Sequence, residues 1–360
     1  MVEKGTYMTD LHRSQTNKKK LIETVVVIGV FFLMITACGH DTDKKQEEVV
    51  IMQEPPAKGM IEYPQPLQKK NTYDTLNVAT YITKIDGMYF IVDCYHNQII
   101  YHDNLSDPLN QWNVLTDEVH YAHTIVSDGT ILLVDDTENN RLLVFQQLAD
   151  GYVHTQTLDN IGMKPHYVQY DANREQFMAW SSITGELYLL RRSKQADEKG
   201  IYSLSIENIL QIEELYGVYV RSFTLIKDEI YFVSGHNNQK IIKAVINEQD
   251  QIDIVAEYQV PPAIAGMVQL TRIGEYYYIT ISTDNQENQG YATIIRTKEL
   301  EELETGAYED IYDMFGVQGG TPYYITEIEG KYYMAHHRTT ENIIAFDVEE
   351  NQIKNVSILY

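Results

Sequence analysis

Thr124-Ile125-Val126-Ser127-Asp128-Gly129-Thr130-Ile131-Leu132-Leu133-Val134-Asp135-Asp136, closed by Asn139-Asn140-Arg141-Leu142-Leu143-Val144-Phe145, is the stretch from which the fold is read. Short runs of Ile, Leu and Val are separated by Asp-Gly and Asn-Asn, and this alternation predicts antiparallel hairpins rather than helices. A similar unit precedes it, running from Ile82-Thr83-Lys84-Ile85-Asp86-Gly87 through Met88-Tyr89-Phe90-Ile91-Val92-Asp93 to Asn97-Gln98-Ile99-Ile100-Tyr101. Asp93 and Asp136 stand 43 residues apart, a spacing expected of four strands per repeat.

Weaker copies continue toward the C terminus. They begin at Phe177-Met178-Ala179-Trp180-Ser181, Ile230-Tyr231-Phe232-Val233-Ser234, Tyr276-Tyr277-Tyr278-Ile279-Thr280 and Tyr332-Tyr333-Met334-Ala335-His336. Six four-stranded units, none able to bury its own faces, predict an all-β fold: a six-bladed β-propeller of antiparallel blades over residues 71–360. A sandwich or barrel does not account for the repeat. Two acidic segments, 206–215 and 300–315, predict short helices in the connections.

The second unit carries strand–Asp–x–x–Asn–x–Arg–strand at Asp136, Asn139 and Arg141. This motif resembles the NHL-repeat propellers. In the first unit Gln98 stands in the arginine position, and in the last four Ser181, Ser234, Ser282 and His336 stand in the aspartate position. The resemblance implies the fold and says little about chemistry.

N-terminal to the repeats, Lys18-Lys19-Lys20 precede an apolar run from Val25 to Ile35, and then comes Ile35-Thr36-Ala37-Cys38. A basic stub, a short apolar core and small residues at the cut predict a secretory signal over residues 1–37. The run is shorter than the roughly 20 apolar residues of a spanning helix. Its Ile-Thr-Ala-Cys ending resembles the lipobox of bacterial lipoproteins, which implies acylation of Cys38 and a lipid anchor on the outer face of the cell membrane. The whole chain also resembles a group of Gram-positive surface lipoproteins. With Cys38 acylated, Cys94 is left without an intramolecular disulfide partner. Residues 38–70, polar and spotted with proline, read as the lipidated cysteine and a flexible tether.

The formal net charge is −24. Such a surface repels nucleic acid, whose binding needs Lys and Arg on phosphate, so nucleic acid is excluded as a partner. It also repels anionic headgroups, which leaves membrane attachment to acyl chains.

Strand parity selects a functional face. In a four-stranded meander the turns between second and third strands emerge beside the blade-to-blade connections that lead into the inner strands. Those connections ring the mouth of the central channel and carry Ala122-His123, Pro165-His166, Arg221, Met267 and Tyr323. Loops on a rigid scaffold commonly hold binding residues. The Pro-His lead-in resembles the peptidyl-amidoglycolate lyases, six-bladed NHL propellers whose Pro-His pairs bind zinc. That resemblance implies His166, and in part His123, as zinc ligands, although no third histidine lead-in is present; calcium is the alternative metal for the pair. The 28 tyrosines offer rings that suit sugars or peptides. No G-x-S-x-G elbow, phosphate loop or EF-hand spacing occurs, so nucleophilic hydrolase and nucleotide readings fall away. Two readings remain. One is a surface module binding a glycan, a peptide or an envelope protein. The other is a metal-dependent lyase or hydrolase in which Arg221 holds an anionic substrate.

Overall fold

In the second unit the strand Ile131–Asp136 is buried at every residue, which explains why its sequence is a continuous apolar run rather than an alternation. A strand with sheets packed on both faces has no solvent side, and the repeat supplies those sheets. The computed structural model describes residues 57–360 except 63, 234, 236–238, 285 and 318. The signal segment, Cys38, the tether as far as residue 56, and Ser234 lie outside the described residues.

Six sheets of antiparallel strands follow one another in chain order. Their inner strands are Ala79–Ile85, Ile125–Ser127, Pro165–Asp171, Ser222–Ile226, Gly266–Ile273 and Thr321–Ile328, defining blades 1 to 6. Each inner strand is followed outward by the next three strands in sequence. The six-bladed propeller expected from the repeat is thus the fold.

The core lies between blades. Phe90, Val92 and Ile99 of blade 1 pack on Leu132, Leu143 and Phe145 of blade 2. Trp180 of blade 3 meets Phe232 of blade 4 with ring centroids 4.7 Å apart. Full burial of one such side chain contributes about 2–3 kcal/mol.

Two local readings change. Residues 206–215 do not form a helix: Leu204–Gln211 is the outer strand of blade 3, and only Glu213–Leu215 turns as a short 3-10 helix. The exposed side of an outer strand carries polar residues, so its acidic character mimicked a solvated helix. Over 300–315, Leu300–Thr305 and Tyr312–Phe315 are helical turns, on either side of the two-residue strand Glu309–Asp310. In addition, the part of the expected tether from Gly59 onward contacts the blades. Thr157 N donates to Gly59 O, Leu67 N donates to Tyr152 O, and Lys69–Lys70 adds a fifth strand to the outer edge of blade 1.

Candidate functional site

The second unit shows how the motif aims side chains at the channel. Asp136, fully buried, accepts from the His120 amide at 2.7 Å, from Asn139 Nδ2 at 2.9 Å and from Arg141 Nε at 2.6 Å. It thereby clamps the incoming connection against the turn that leaves the second strand. Asn140 then adopts the left-handed conformation at φ 52° and accepts the Lys164 amide of the next blade at 2.7 Å. Asn97 repeats this at φ 54° with the Tyr121 amide. Each turn therefore fixes the residues just before His123 and His166. Register shifts at the start of the inner strands of blades 1, 3, 5 and 6 mark bulges. Bulges re-aim side chains and are common beside functional sites.

These elements surround a cavity of about 510 Å³ on the predicted face. His123, Arg221 and Tyr323 line it, together with Tyr95, Tyr121, Thr137, Tyr219 and His337. Two expected residues are placed elsewhere. Met267 is 0% exposed and packs in the core between blades 4 and 5, because the bulged start of its strand turns it into that interface. His166 is fully buried and does not line the cavity. It lies under His123, with ring centroids 3.6 Å apart and planes 25° from parallel.

The hydrogen bonds fix the state of both rings. Tyr324 Oη donates to the Arg221 carbonyl at 3.0 Å, so toward His166 Nδ1, 3.3 Å away, it can only accept. His166 Nδ1 therefore carries the proton, and Nε2 accepts from Tyr323 Oη at 3.4 Å. Burial first, then His123 and Arg221, hold the His166 pKa well below the usual range. Above it, Thr137 Oγ1 donates to Asp135 Oδ2 at 3.0 Å and so accepts from His123 Nδ1 at 2.9 Å. Asp135 is buried and also receives the His123 and Thr124 amides. His123 Nε2 has no hydrogen-bond partner among the described residues.

A metal ion binds an imidazole along the ring plane, at a nitrogen lone pair. Two stacked rings direct those lone pairs in near-parallel planes rather than at one point. Both His166 nitrogens are, moreover, engaged by tyrosine hydroxyls. The His123–His166 pair therefore does not fit a shared zinc or calcium ion, and no step through a metal is derived. The group that best meets ligand distances among the described residues is His102, Asp103 and Asp107, whose ligand atoms lie within 4.8 Å of one another. There His102 Nδ1 already accepts the Asn104 amide at 3.1 Å.

Arg221 forms no ion pair with a carboxylate among the described residues. Its guanidinium lies 4.9 Å from the centre of the Tyr219 ring and reaches the Met267 carbonyl only at 3.4 Å. His337 stacks toward Tyr323 and meets Tyr95 edge-on at 5.2 Å. Burial, then His123 and Arg221, push its pKa down to about 4. Tyr95 and Tyr121, 5.2 Å apart, stand 46% and 36% exposed at the rim. Cys94 also lines the cavity, and burial raises its thiol pKa well above the ordinary value, so it is no thiolate nucleophile. The sequence reading missed His337, Thr137 and Cys94. The repeat carried their signal: each directly follows the motif position held by His336, Asp136 or Asp93.

No family model matches the sequence, and no curated protein matches it. Solved structures do. A Bacteroides uniformis protein provisionally assigned as a 6-phosphogluconolactonase aligns with a TM-score of 0.53 at 12% identity, over 78% of this chain and 85% of its own. A Bacteroides fragilis protein with the same provisional assignment aligns at 0.55 and 11% identity, over 76% and 82%. A streptogramin B lyase aligns at 0.52 and 14% identity, over 81% and 86%. At such identities the likeness is one of architecture, and the chain shares the β-propeller fold with these proteins.

Proposed function

We propose that this propeller is an extracytoplasmic lipoprotein, anchored through acylated Cys38, that binds a short carboxylate-bearing glycan at its channel mouth. The carrying observation is Arg221, a half-buried cation without a carboxylate partner among the described residues, in a chain of net charge −24. A cation in a ring-lined cavity is matched by an anion, and guanidinium pairs with carboxylate bidentately. The Tyr95, Tyr121 and Tyr323 rings offer faces on which a pyranose can stack. A single cation within an acidic surface favours one carboxylate over a polyanion. The lipobox-like Ile35-Thr36-Ala37-Cys38 supports the anchor, and the Asp136–Asn139–Arg141 bonds support kinship with NHL propellers.

Titration of the full-length chain with a glucosyl-(1→4)-glucuronate disaccharide tests the binding. Arg221→Met should weaken it by about 10–100-fold, as expected for loss of a charge-assisted hydrogen bond. Equal binding by the neutral glucose disaccharide would overturn the reading. Acylation is tested separately by detergent-phase partition, which Cys38→Ala should abolish.

A further inference from the structure

We propose that His123 is a general base, and that the channel mouth eliminates across a 4-linked uronate rather than only holding it. The inference rests on the binding reading and takes it one step further. Its ground is the chain of bonds from buried Asp135 through the Thr137 hydroxyl to His123 Nδ1. That chain puts a proton on Nδ1, so the lone pair of the neutral ring is on Nε2. His123 lines the cavity that Arg221 also lines, and Nε2 meets no other group among the described residues. A ring oriented by a hydroxyl–carboxylate pair, with its other nitrogen free of protein hydrogen bonds on a cavity that a ligand can enter, is the arrangement that general-base chemistry uses.

The neighbouring groups narrow the reaction. No hydroxyl or thiol among the described residues is hydrogen-bonded to His123 Nε2, so the base has no protein nucleophile to activate. Its target is a proton of the ligand itself. With Arg221 paired to the uronate carboxylate, the proton on the adjacent ring carbon is acidified, because the guanidinium stabilises the charge that develops on the carboxylate oxygens. His123 Nε2 takes that proton. The electron pair left on carbon forms the ring double bond and expels the oxygen at position 4. In a 4-linked glucuronate H5 and O4 share one ring face, so the departing oxygen takes the proton back from Nε2; in a galacturonate they lie on opposite faces, and the departing oxygen takes a proton from solvent while Nε2 releases its own. One C–H and one C–O bond break, one C=C and one O–H bond form, and neither oxidant, reductant nor water is consumed. Thr137 is a positioning residue in this scheme, acting through His123.

The glucosyl-(1→4)-glucuronate disaccharide and digalacturonate serve as probes with the full-length chain, and the ultraviolet absorbance of the unsaturated uronate is the readout. His123→Gln should lower kcat by about 10²–10⁴-fold with KM little changed, while calorimetric binding persists. Thr137→Val should lower kcat by roughly tenfold and Thr137→Ser should restore it, a pattern that loss of packing alone would not give. Arg221→Met should raise KM and lower kcat together, since the guanidinium both holds the carboxylate and stabilises the charge that develops on it. Binding of both probes by the wild-type chain with no unsaturated product would overturn the elimination and leave the binding reading standing. Absence of binding would overturn both. Product formation unchanged in a folded His123→Gln variant would remove His123 from the role.

Discussion

Adjacent carboxylates in blade 2 receive different partners. Asp136 holds the His120 amide, Asn139 and Arg141, while Asp135 holds the His123 and Thr124 amides and the Thr137 hydroxyl. One fastens the turn and the other orients the ring at the channel. In blade 1 the same fastening is rebuilt from other residues: Asp93 accepts the Asn77 amide, His96 Nδ1 lies 2.6 Å away, and Gln98 Nε2 donates. At the other end of the ring, His337 carries a measurable consequence of burial. Its pKa of about 4 lies below the value near 6.5 of an unfolded histidine. Above about pH 6.5 it is neutral in both states and contributes no pH dependence. As pH falls toward 4, the unfolded chain takes up a proton that the folded chain refuses, so stability is lost across that window and levels off below it. Between about pH 7.5 and about pH 5 the loss from this group is about 2 kcal/mol. Urea unfolding at the two pH values should therefore show a smaller fall for His337→Gln than for the wild type, by about that amount. Equal falls would place the ring in water. His166 and His336, also held low by burial, move stability in the same direction and remain in both proteins.

At the scale of elements, the turn after the second strand and the lead-in to the next blade behave as one unit. Asn140 supplies both a left-handed residue and an acceptor for the Lys164 amide, two residues before His166. Asn140→Ala loses the acceptor and strains the backbone, and should cost about 2 kcal/mol. Asn140→Gly keeps the conformation and should cost about 1 kcal/mol. Chemical denaturation separates them: equal costs would show that the left-handed backbone adds no strain, and no cost for Asn140→Gly would show that the side-chain bond contributes nothing. This coupling also explains what the sequence could disclose. The 43-residue spacing and the Asp-Gly and Asn turns are local signals repeated along the chain, so the blades and their exposed hairpins were legible. The face was legible too, since parity alone puts His123, Arg221 and Tyr323 on one side. Depth was not. A bulge changes which way a side chain points without changing composition, so Met267 and His166 read as mouth residues although both are 0% exposed. The stacking of His123 on His166 likewise depends on the rotation between blades, which no single unit encodes. Thr137 and His337 could have been found by extending the motif one residue past its aspartate position.

For the whole molecule, the ring must close between blades that are far apart in sequence. Among the described residues no strand is exchanged between blades 1 and 6: the last strand, Gln352–Ile358, pairs within blade 6. Closure rests instead on packing and on scattered bonds. Thr326 Oγ1 donates to the Ile82 carbonyl at 2.7 Å, the Ala79 amide donates to Asn342 Oδ1 at 3.3 Å, and Lys84 pairs with Glu329. Tyr360 adds a clasp. Its carbonyl accepts the Asn342 amide in blade 6, while its ring meets Trp112 of blade 1 edge-on at 6.1 Å and its hydroxyl donates to the Leu105 carbonyl. A seam without a shared strand has fewer backbone bonds to lose than the seam within any sheet, so side chains that cross it carry a larger share of closure. Tyr360→Ala should therefore destabilise the whole domain by about 2–4 kcal/mol, the cost of truncating a large packed side chain that also loses a hydrogen bond. Ile358→Ala, two residues earlier and 48% exposed, is the control and should stay within about 0.5 kcal/mol of wild type. Both are read as urea midpoints with an unchanged slope, since a ring that opens at one seam loses the support of every blade in turn. A shift for Tyr360→Ala no larger than that of Ile358→Ala would mean that inner-strand contacts alone hold the ring closed.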